Sequence, residues 1–146
     1  MADKISVKVV TAATKRNLKE LNRDVDAATK KGLRAVAAKV RADARKRAPV
    51  YTGSRKTVSV GGGKQIPLVP GELKKGIGAS KKFKTYGNGT YGLTVGPRGG
   101  HVHLYALKQE KRTPFMAPAH EAVDGGGGAR DIHEAAWAKE TAKRRG

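Results

Sequence analysis

The sequence contains no cysteine. This absence excludes disulfide bonds, thiolate nucleophiles and cysteine-based zinc sites. Aromatic residues are scarce, with one Trp, two Phe and four Tyr among 146 residues, so we expect a thin core that depends on alanine and valine. No apolar run approaches the roughly 18 residues of a membrane span, and the N-terminus lacks the apolar centre of a signal peptide. These absences predict a soluble protein of a cytoplasm-like compartment.

Acidic residues are also few, because 12 Asp and Glu stand against 31 Lys and Arg, giving a formal net charge of +19. A protein with this charge attracts polyanions, whether nucleic acid, an acidic protein surface or anionic lipid. Charge alone does not choose among these partners. The length is that of one ordinary domain, and we predict a single domain over residues 1–146.

The clearest periodic pattern runs from about residue 24 to 47, where apolar residues recur every three or four positions and predict a long amphipathic helix. Pro49 ends it, because proline disfavours helical geometry in the preceding residue. A strand over residues 4–10 and a short helix over 12–22, burying Leu18 and Leu21, are predicted before it. The apolar stripe consists of Val25, Ala28, Leu33, Val36, Ala37, Val40 and Ala44. The basic face includes Lys30, Lys31, Arg34, Arg41 and Arg45.

The middle of the chain is rich in glycine and proline. Residues 54–70 are predicted to form a flexible loop or hairpin around a β-prone run at 57–60, and strands are predicted over 73–80, 91–95 and 101–107. Residues 86–90 predict a turn, because Asn-Gly tolerates positive φ. A helix from Pro118 is broken by glycines at 124–128 and resumes over 129–145. The fold class is therefore α+β: an N-terminal strand and a long helix packed on a small antiparallel sheet, with a C-terminal helix.

Histidines and glycine clusters are the candidates for chemistry, and neither supports an enzyme. His101 and His103 would share one face of a strand, but no third metal ligand is near them in sequence. The adjacent pairs His120–Glu121 and His133–Glu134 diverge on a helix and lack zincin spacing. The glycines at 61–63 and 125–128 lack P-loop spacing. We predict no catalytic residue, no metal site and no cofactor.

The basic face has two interpretations. A row of lysine and arginine can bind phosphates along nucleic acid. Specific readers add aromatic platforms or polar base-reading side chains, which do not interleave with the basic residues here. We therefore interpret this face as a solvated or intersubunit surface that also binds anions.

Three motifs occur in order along the chain. The long helix ends in "ARKRAPVYTG" (residues 44–53), residues 71–80 read "GELKKGIGAS", and residues 105–123 read "YALKQEKRTPFMAPAHEAV". Together they resemble the neck and tail-completion family (minor tail components, head–tail joining) of long-tailed bacteriophages over about residues 4–123. The sequence departs from that pattern in the inserted segment 54–70, in Lys111-Arg112-Thr113 after Glu110, and in the glycine break.

The resemblance implies a structural virion protein of the phage neck or tail. Such proteins assemble as rings, commonly hexamers, between head-closure or connector proteins and the tail tube or its terminator. DNA passes through their channel, and no membrane partner is implied. The chain would occur in the virion, and in the host cytoplasm during assembly. The alternative is a small basic nucleic-acid-binding protein of ribosomal or nucleoid type, which would bind naked nucleic acid tightly and lose that affinity steeply with salt.

Eight residues of the three motifs are the structural or interface candidates. Thr113 and Pro114 are predicted to end the strand that carries Tyr105, because proline cannot continue a ladder. Phe115 and Met116 are predicted to fill the gap between sheet and long helix. The eight candidates are Pro49, Thr52, Gly53, Leu73, Tyr105, Pro114, Phe115 and Pro118.

Overall fold

The computed structural model of the chain describes residues 12–99 and 102–146. Its elements are α1 (Ala12–Arg47), β1 (Thr57–Val60), β2 (Lys64–Pro67), α2 (Glu72–Gly76), β3 (Ile77–Ala79), β4 (Lys84–Gly87), β5 (Thr90–Gly92), β6 (Val95–Pro97), α3 (Val102–Arg112), α4 (Met116–Asp124) and α5 (Gly128–Arg145). The predicted α+β class is confirmed, with long helices at both ends and short antiparallel strands between them. The strand predicted over 4–10 lies outside the described residues.

Helix α1 is continuous over 36 residues, so the prediction of two helices divided near residue 23 is wrong. Neither glycine nor proline occurs between residues 12 and 31, and nothing there interrupts the backbone hydrogen bonds. Of the predicted apolar stripe, the members Ala28, Ala37, Val40 and Ala44 are buried. Leu33 and Val36 are half-buried, and Val25 is 43% exposed. Leu21 is 44% exposed, so the prediction that it is buried is wrong. The prediction for the Leu18 side chain lies outside the described part of the chain.

The strands form three separate two-stranded antiparallel sheets, where we had predicted one sheet. They pair as β1 with β2, β3 with β6 and β4 with β5. Each strand has only three or four residues and pairs with one other strand. The hairpin of β1 and β2 occupies the predicted segment 54–70 and buries Ile66 in the core. The predicted Asn-Gly turn joins β4 to β5, with Asn88 at φ 49°.

Two of the predicted strands contain helix instead. Residues 73–80 begin with the one-turn α2 before β3, because Gly71 takes a left-handed φ of 76° and redirects the chain into a helical turn. Residues 102–112 form α3, so the predicted strand over 101–107 is wrong. Val102, Tyr105 and Ala106 are buried there, and their three- and four-residue spacing is helical; it overrides the weaker alternation that we read as a strand.

The core lies where the C-terminal half of α1 meets the β1–β2 hairpin, α2, α3 and α4. Phe115 is one of its two largest fully buried side chains, and Ile77 is the other. Phe115 is thus buried as expected for a core residue, whereas Met116 is only half-buried, and Thr113 and Pro114 follow a helix and not a strand. The buried members are Ala44, Ala48, Ile66, Leu73, Ile77, Val102, Tyr105, Ala106, Phe115 and Ala119.

Helix α5 packs antiparallel on the N-terminal half of α1. Gly32 allows this close approach, because a Cβ atom there would lie 2.5 Å from Cδ2 of His133. An ion pair of 3.3 Å joins Arg144 to Asp24 farther along. The predicted glycine break is confirmed: Gly126 and Gly127 adopt φ of 64° and 84° and turn the chain between α4 and α5.

Candidate functional site

Five of the eight candidate residues meet in one cleft of about 240 Å³. It lies between the end of α1, the segment after β2, and α3. Leu73 and Tyr105 contribute buried side chains, and Pro49 is half-buried. Thr52 and Gly53 are exposed at its edge. Burial, followed by the nearby Glu72 carboxylate, raises the pKa of the Tyr105 hydroxyl.

The cleft explains the Thr-Gly motif in structural terms. A Cβ atom on Gly53 would lie 2.6 Å from the hydroxyl of Tyr51, so only glycine lets the chain fold back over this ring. The same hydroxyl accepts a hydrogen bond of 2.7 Å from the Arg55 backbone N–H. The polar side chains that line the cleft are hydroxyls of Tyr and Thr and the Gln109 amide. None of these side-chain types is a usual general acid or base at neutral pH.

The other three candidates lie at the corner between α3 and α4. Pro114 is exposed, and Pro118 lies in the first turn of α4, where a missing N–H breaks no helical hydrogen bond. Glu110 organises this corner. Its two carboxylate oxygens accept hydrogen bonds from the backbone N–H groups of Phe115 (2.9 Å), Met116 (3.0 Å) and Ala117 (3.0 Å).

Glu110 therefore caps α4 from outside that helix. Partial burial raises the pKa of its carboxyl, but the hydrogen bonds from Met116, Ala117 and Phe115 together outweigh burial and hold the pKa below its usual value. The negative charge also faces the positive end of the α4 dipole. This capping carboxylate was not predicted, since it lies six residues before the first residue of the helix that it caps rather than at a capping-box position.

The basic face of α1 is partly engaged with the strands. The Nζ atom of Lys30 lies 4.6 Å from the centre of the Tyr91 ring, and the Arg34 guanidinium lies 5.0 Å from that of Phe83. The two rings contact each other edge to face at 6.2 Å. Tyr91 donates a 2.6 Å hydrogen bond to Asp26, which raises the pKa of its hydroxyl. These contacts orient two of the predicted basic residues, and Lys31 is exposed.

Arg45 has a different role from the rest of the basic face. Its Nε donates a hydrogen bond of 3.0 Å to the Ile77 carbonyl, and its Nη2 donates one of 3.3 Å to the Lys75 carbonyl. The guanidinium thus fastens α1 to the junction of α2 and β3. Arg45 is a structural residue rather than a free cation.

A shallow groove beside the centre of this face carries three cations. Arg34, Arg41 and Lys81 line it, together with the Ser80 side chain, over a floor of alanine and leucine. Its volume is about 380 Å³, and no carboxylate lines it. Sequence reasoning missed Lys81, because only the fold brings β3 and the following turn beside α1.

A second, apolar surface lies on both sides of Met116. On one side, Leu33, Val36, Val40, Leu93 and Val95 line a groove of about 400 Å³. On the other side, Met116 borders a groove of about 230 Å³ with Pro97, Ala106 and Leu107. Leu107 is 66% exposed. We call this surface the Met116 groove.

Within residues 12–99 and 102–146, no group of three His, Asp or Glu side chains could hold a metal ion. His103 is exposed on α3, so the predicted strand pairing with His101, which lies outside the described residues, does not arise. Over the same described ranges, no helix is long and apolar enough to cross a membrane.

Comparison with known families decides the classification. The model of the family described as "Bacteriophage HK97-gp10, putative tail-component" matches residues 12–105. The chain belongs to this HK97-gp10-like family. In the same comparisons, no curated protein and no solved structure matches the chain.

Membership makes the chain a bacteriophage tail component, which confirms the resemblance found in the sequence. The match begins with α1 and ends inside α3. It therefore includes the cleft motifs, the three-cation groove and the β1–β2 hairpin, whereas Glu110 and α5 lie beyond it.

Proposed function

We propose that this tail component is a structural, non-enzymatic protein of the phage head–tail junction. In this proposal the chain is a single domain that forms a ring, with six copies expected, and links the head connector to the tail. The observation that carries the proposal is the family match over residues 12–105. The motifs behind the resemblance support it, since their residues build the cleft and the α3–α4 corner rather than a reactive site.

Charge favours an apolar contact between copies. Many carboxylates are already engaged within the chain: those of Asp24, Asp43, Glu134 and Glu140 in ion pairs, and that of Glu110 in capping α4. These are five of the 12 acidic residues. Two copies that each carry 31 Lys and Arg and a formal charge of +19 repel each other, which disfavours a contact through their charged faces. The Met116 groove supplies largely apolar surface, although His103, Glu110 and His120 also line it, and we propose that a second copy covers it in the ring. Apolar surface of this kind typically marks a protein interface.

The expected neighbours are head-closure or connector proteins on one side and tail-tube or tail-terminator proteins on the other. The excess positive charge suits acidic surfaces on those neighbours, and it also suits DNA inside the channel. The protein would reside in the virion neck or tail and would be present in the host cytoplasm during assembly. No membrane partner is proposed.

The test has two parts. Electron microscopy of intact particles should show a ring of this chain between portal and tail; finding the chain only on nucleic acid would reject the proposal. In solution, mass photometry should show a closed ring that Leu107→Asn abolishes. Leu104→Asn is the control, because Leu104 is exposed on the same helix but does not line the Met116 groove. If both variants assemble equally well, the Met116 groove is not the interface between copies.

The nucleoid-type alternative rests on the net charge. It predicts monomers that coat naked nucleic acid without closing into a ring. The same mass photometry experiment, repeated with added DNA, separates these two outcomes.

A further inference from the structure

We propose that Lys30, Arg34, Arg41 and Lys81 form a binding site for the sugar–phosphate backbone of a nucleic acid duplex. The inference rests on the proposed function in one respect, because the duplex would be the DNA in the channel of the ring. The chemistry of the binding site does not depend on that function. Arg45 belongs to the basic face but is not part of this binding site, because its guanidinium donates hydrogen bonds to two backbone carbonyls.

The first support is the geometry of α1. Residues 30, 34, 38, 41 and 45 follow one line along a helix, and Ala38 leaves this line open at its middle. At 1.5 Å per residue, Lys30 and Arg41 are about 16 Å apart along the axis. Lys81 adds a cation from the other wall of the groove. A row of cations beside a shallow groove suits a ligand with charges repeated along its length.

The second support is that the cations are available. No ion pair or hydrogen bond occupies Arg41 or Lys81 within the described ranges 12–99 and 102–146. Lys30 and Arg34 lie over aromatic rings, which orient their charges without neutralising them. Asp26 stands at the end of the row next to Lys30, but it accepts the Tyr91 hydroxyl. The groove itself is lined by no carboxylate.

The third support distinguishes a duplex from a single strand. Binding of single strands relies on aromatic faces on which bases stack. Phe83 and Tyr91 are the rings beside this row, and Arg34 and Lys30 already cover a face of each. The groove also has no Asn or Gln among its lining residues to read adenine edges. Its cations stand in a row at the rim of a shallow groove, an arrangement that follows a phosphate backbone.

The expected affinity of one copy is modest. Four phosphate contacts give a slope of log K against log salt of about −3.6, since each contact contributes about −0.9. A closed ring places several such sites around one duplex, and their effective concentration raises the overall affinity. The site therefore holds DNA tightly only after assembly.

The experiment measures fluorescence anisotropy of a labelled 25-base-pair duplex over a salt series. The test variant is Arg34→Gln/Arg41→Gln/Lys81→Gln. The control is Lys39→Gln/Lys46→Gln/Lys139→Gln, three exposed lysines off the row, so both variants lose the same three charges. We expect the test variant to lose at least tenfold in affinity and to flatten the salt slope by about 2.7, with the control within threefold of wild type.

Several results would overturn the site. These are equal losses in both variants, tighter binding of single strands than of the duplex, and displacement of the duplex by polyglutamate at matched charge, which would indicate an acidic protein partner. Circular dichroism melts confirm that both variants are folded. Mass photometry of the same samples keeps the two proposals apart. If the wild-type protein forms a ring but the test variant binds the duplex as tightly as the control variant, only the binding site is rejected. If the test variant alone loses duplex binding but no sample forms a ring, only the junction role is rejected.

Discussion

Replacement of Glu110 provides the sharpest test of how the α3–α4 corner is held. The carboxylate accepts three backbone hydrogen bonds of 2.9–3.0 Å at the start of α4. Glu110→Ala removes all three acceptors, and we expect it to cost about 2–3 kcal/mol, because a lost cap costs about 0.5–2 kcal/mol and charged hydrogen bonds contribute more than neutral ones. Glu110→Gln keeps one oxygen acceptor and should cost about 1–2 kcal/mol.

Urea denaturation followed by circular dichroism measures these losses. The matched control is Glu121→Gln, an exposed glutamate on α4 itself, which should change the free energy of unfolding by less than about 0.5 kcal/mol. If Glu110→Gln behaves like Glu121→Gln, the capping interpretation is refuted. The same holds if Glu110→Ala is no worse than Glu110→Gln.

The pH dependence follows from the lowered pKa of Glu110. A carboxyl with a lower pKa in the folded state stabilises the protein fully above its unfolded-state pKa of about 4.3. That stabilisation is lost as the pH falls through the lower folded-state value. The stability difference between wild type and Glu110→Gln should therefore be constant from pH 7 to about pH 5 and shrink below about pH 4. A difference that is the same at pH 7 and pH 3 would contradict this account.

Three further substitutions test the packing. Phe115→Ala should cost about 3–5 kcal/mol in the same denaturation experiment, because the ring is fully buried; a loss near zero would show that it is not a core residue. Gly32→Ala should destabilise the protein even though alanine favours helix by about 1 kcal/mol, because its Cβ meets His133; His133→Ala should rescue it in a double-mutant cycle, and additive effects would contradict the contact. Arg45→Lys should lower the melting temperature nearly as much as Arg45→Ala, since an ammonium group cannot reproduce the two-carbonyl fork; full retention by lysine would refute that role.

The elements with a strong single period were predictable from sequence. The stripe from Val25 to Ala44 indicated the part of α1 from about residue 24 to 47, and the Asn-Gly pair indicated the β4–β5 turn. The helix over residues 102–112 was predicted as a strand. His103 and Leu104 give this segment an alternating pattern, and only Val102, Tyr105 and Ala106 have helical spacing. Short apolar runs of this kind satisfy both periods, and burial decides between them.

The site residues were also predictable only where a local sequence motif marks them. The first two motifs identified residues that do meet in one cleft, because each marks a sharp local turn. Contacts of the basic face, by contrast, join residues from distant positions and leave no local pattern. Lys81 lines the same groove as Arg41, 40 positions earlier, and Asp26 accepts the Tyr91 hydroxyl across 65 residues. Spacing along the chain carries no information about such contacts.

The pairing of α1 with α5 has a consequence for how the chain is made. Asp24 and Arg144 meet across 120 positions, so α1 leaves the ribosome long before the helix that covers its glycine-containing face. Because synthesis proceeds from the N-terminus, we expect the face of α1 that contains Gly32 to stay exposed to solvent until α5 has been made. Its composition suits the delay: alanine, lysine and arginine dominate α1, and these residues are poor formers of intermolecular β-structure. The contact of α5 with α1 raises the contact order of the fold, and we expect it to make folding slower than in a chain with local contacts alone.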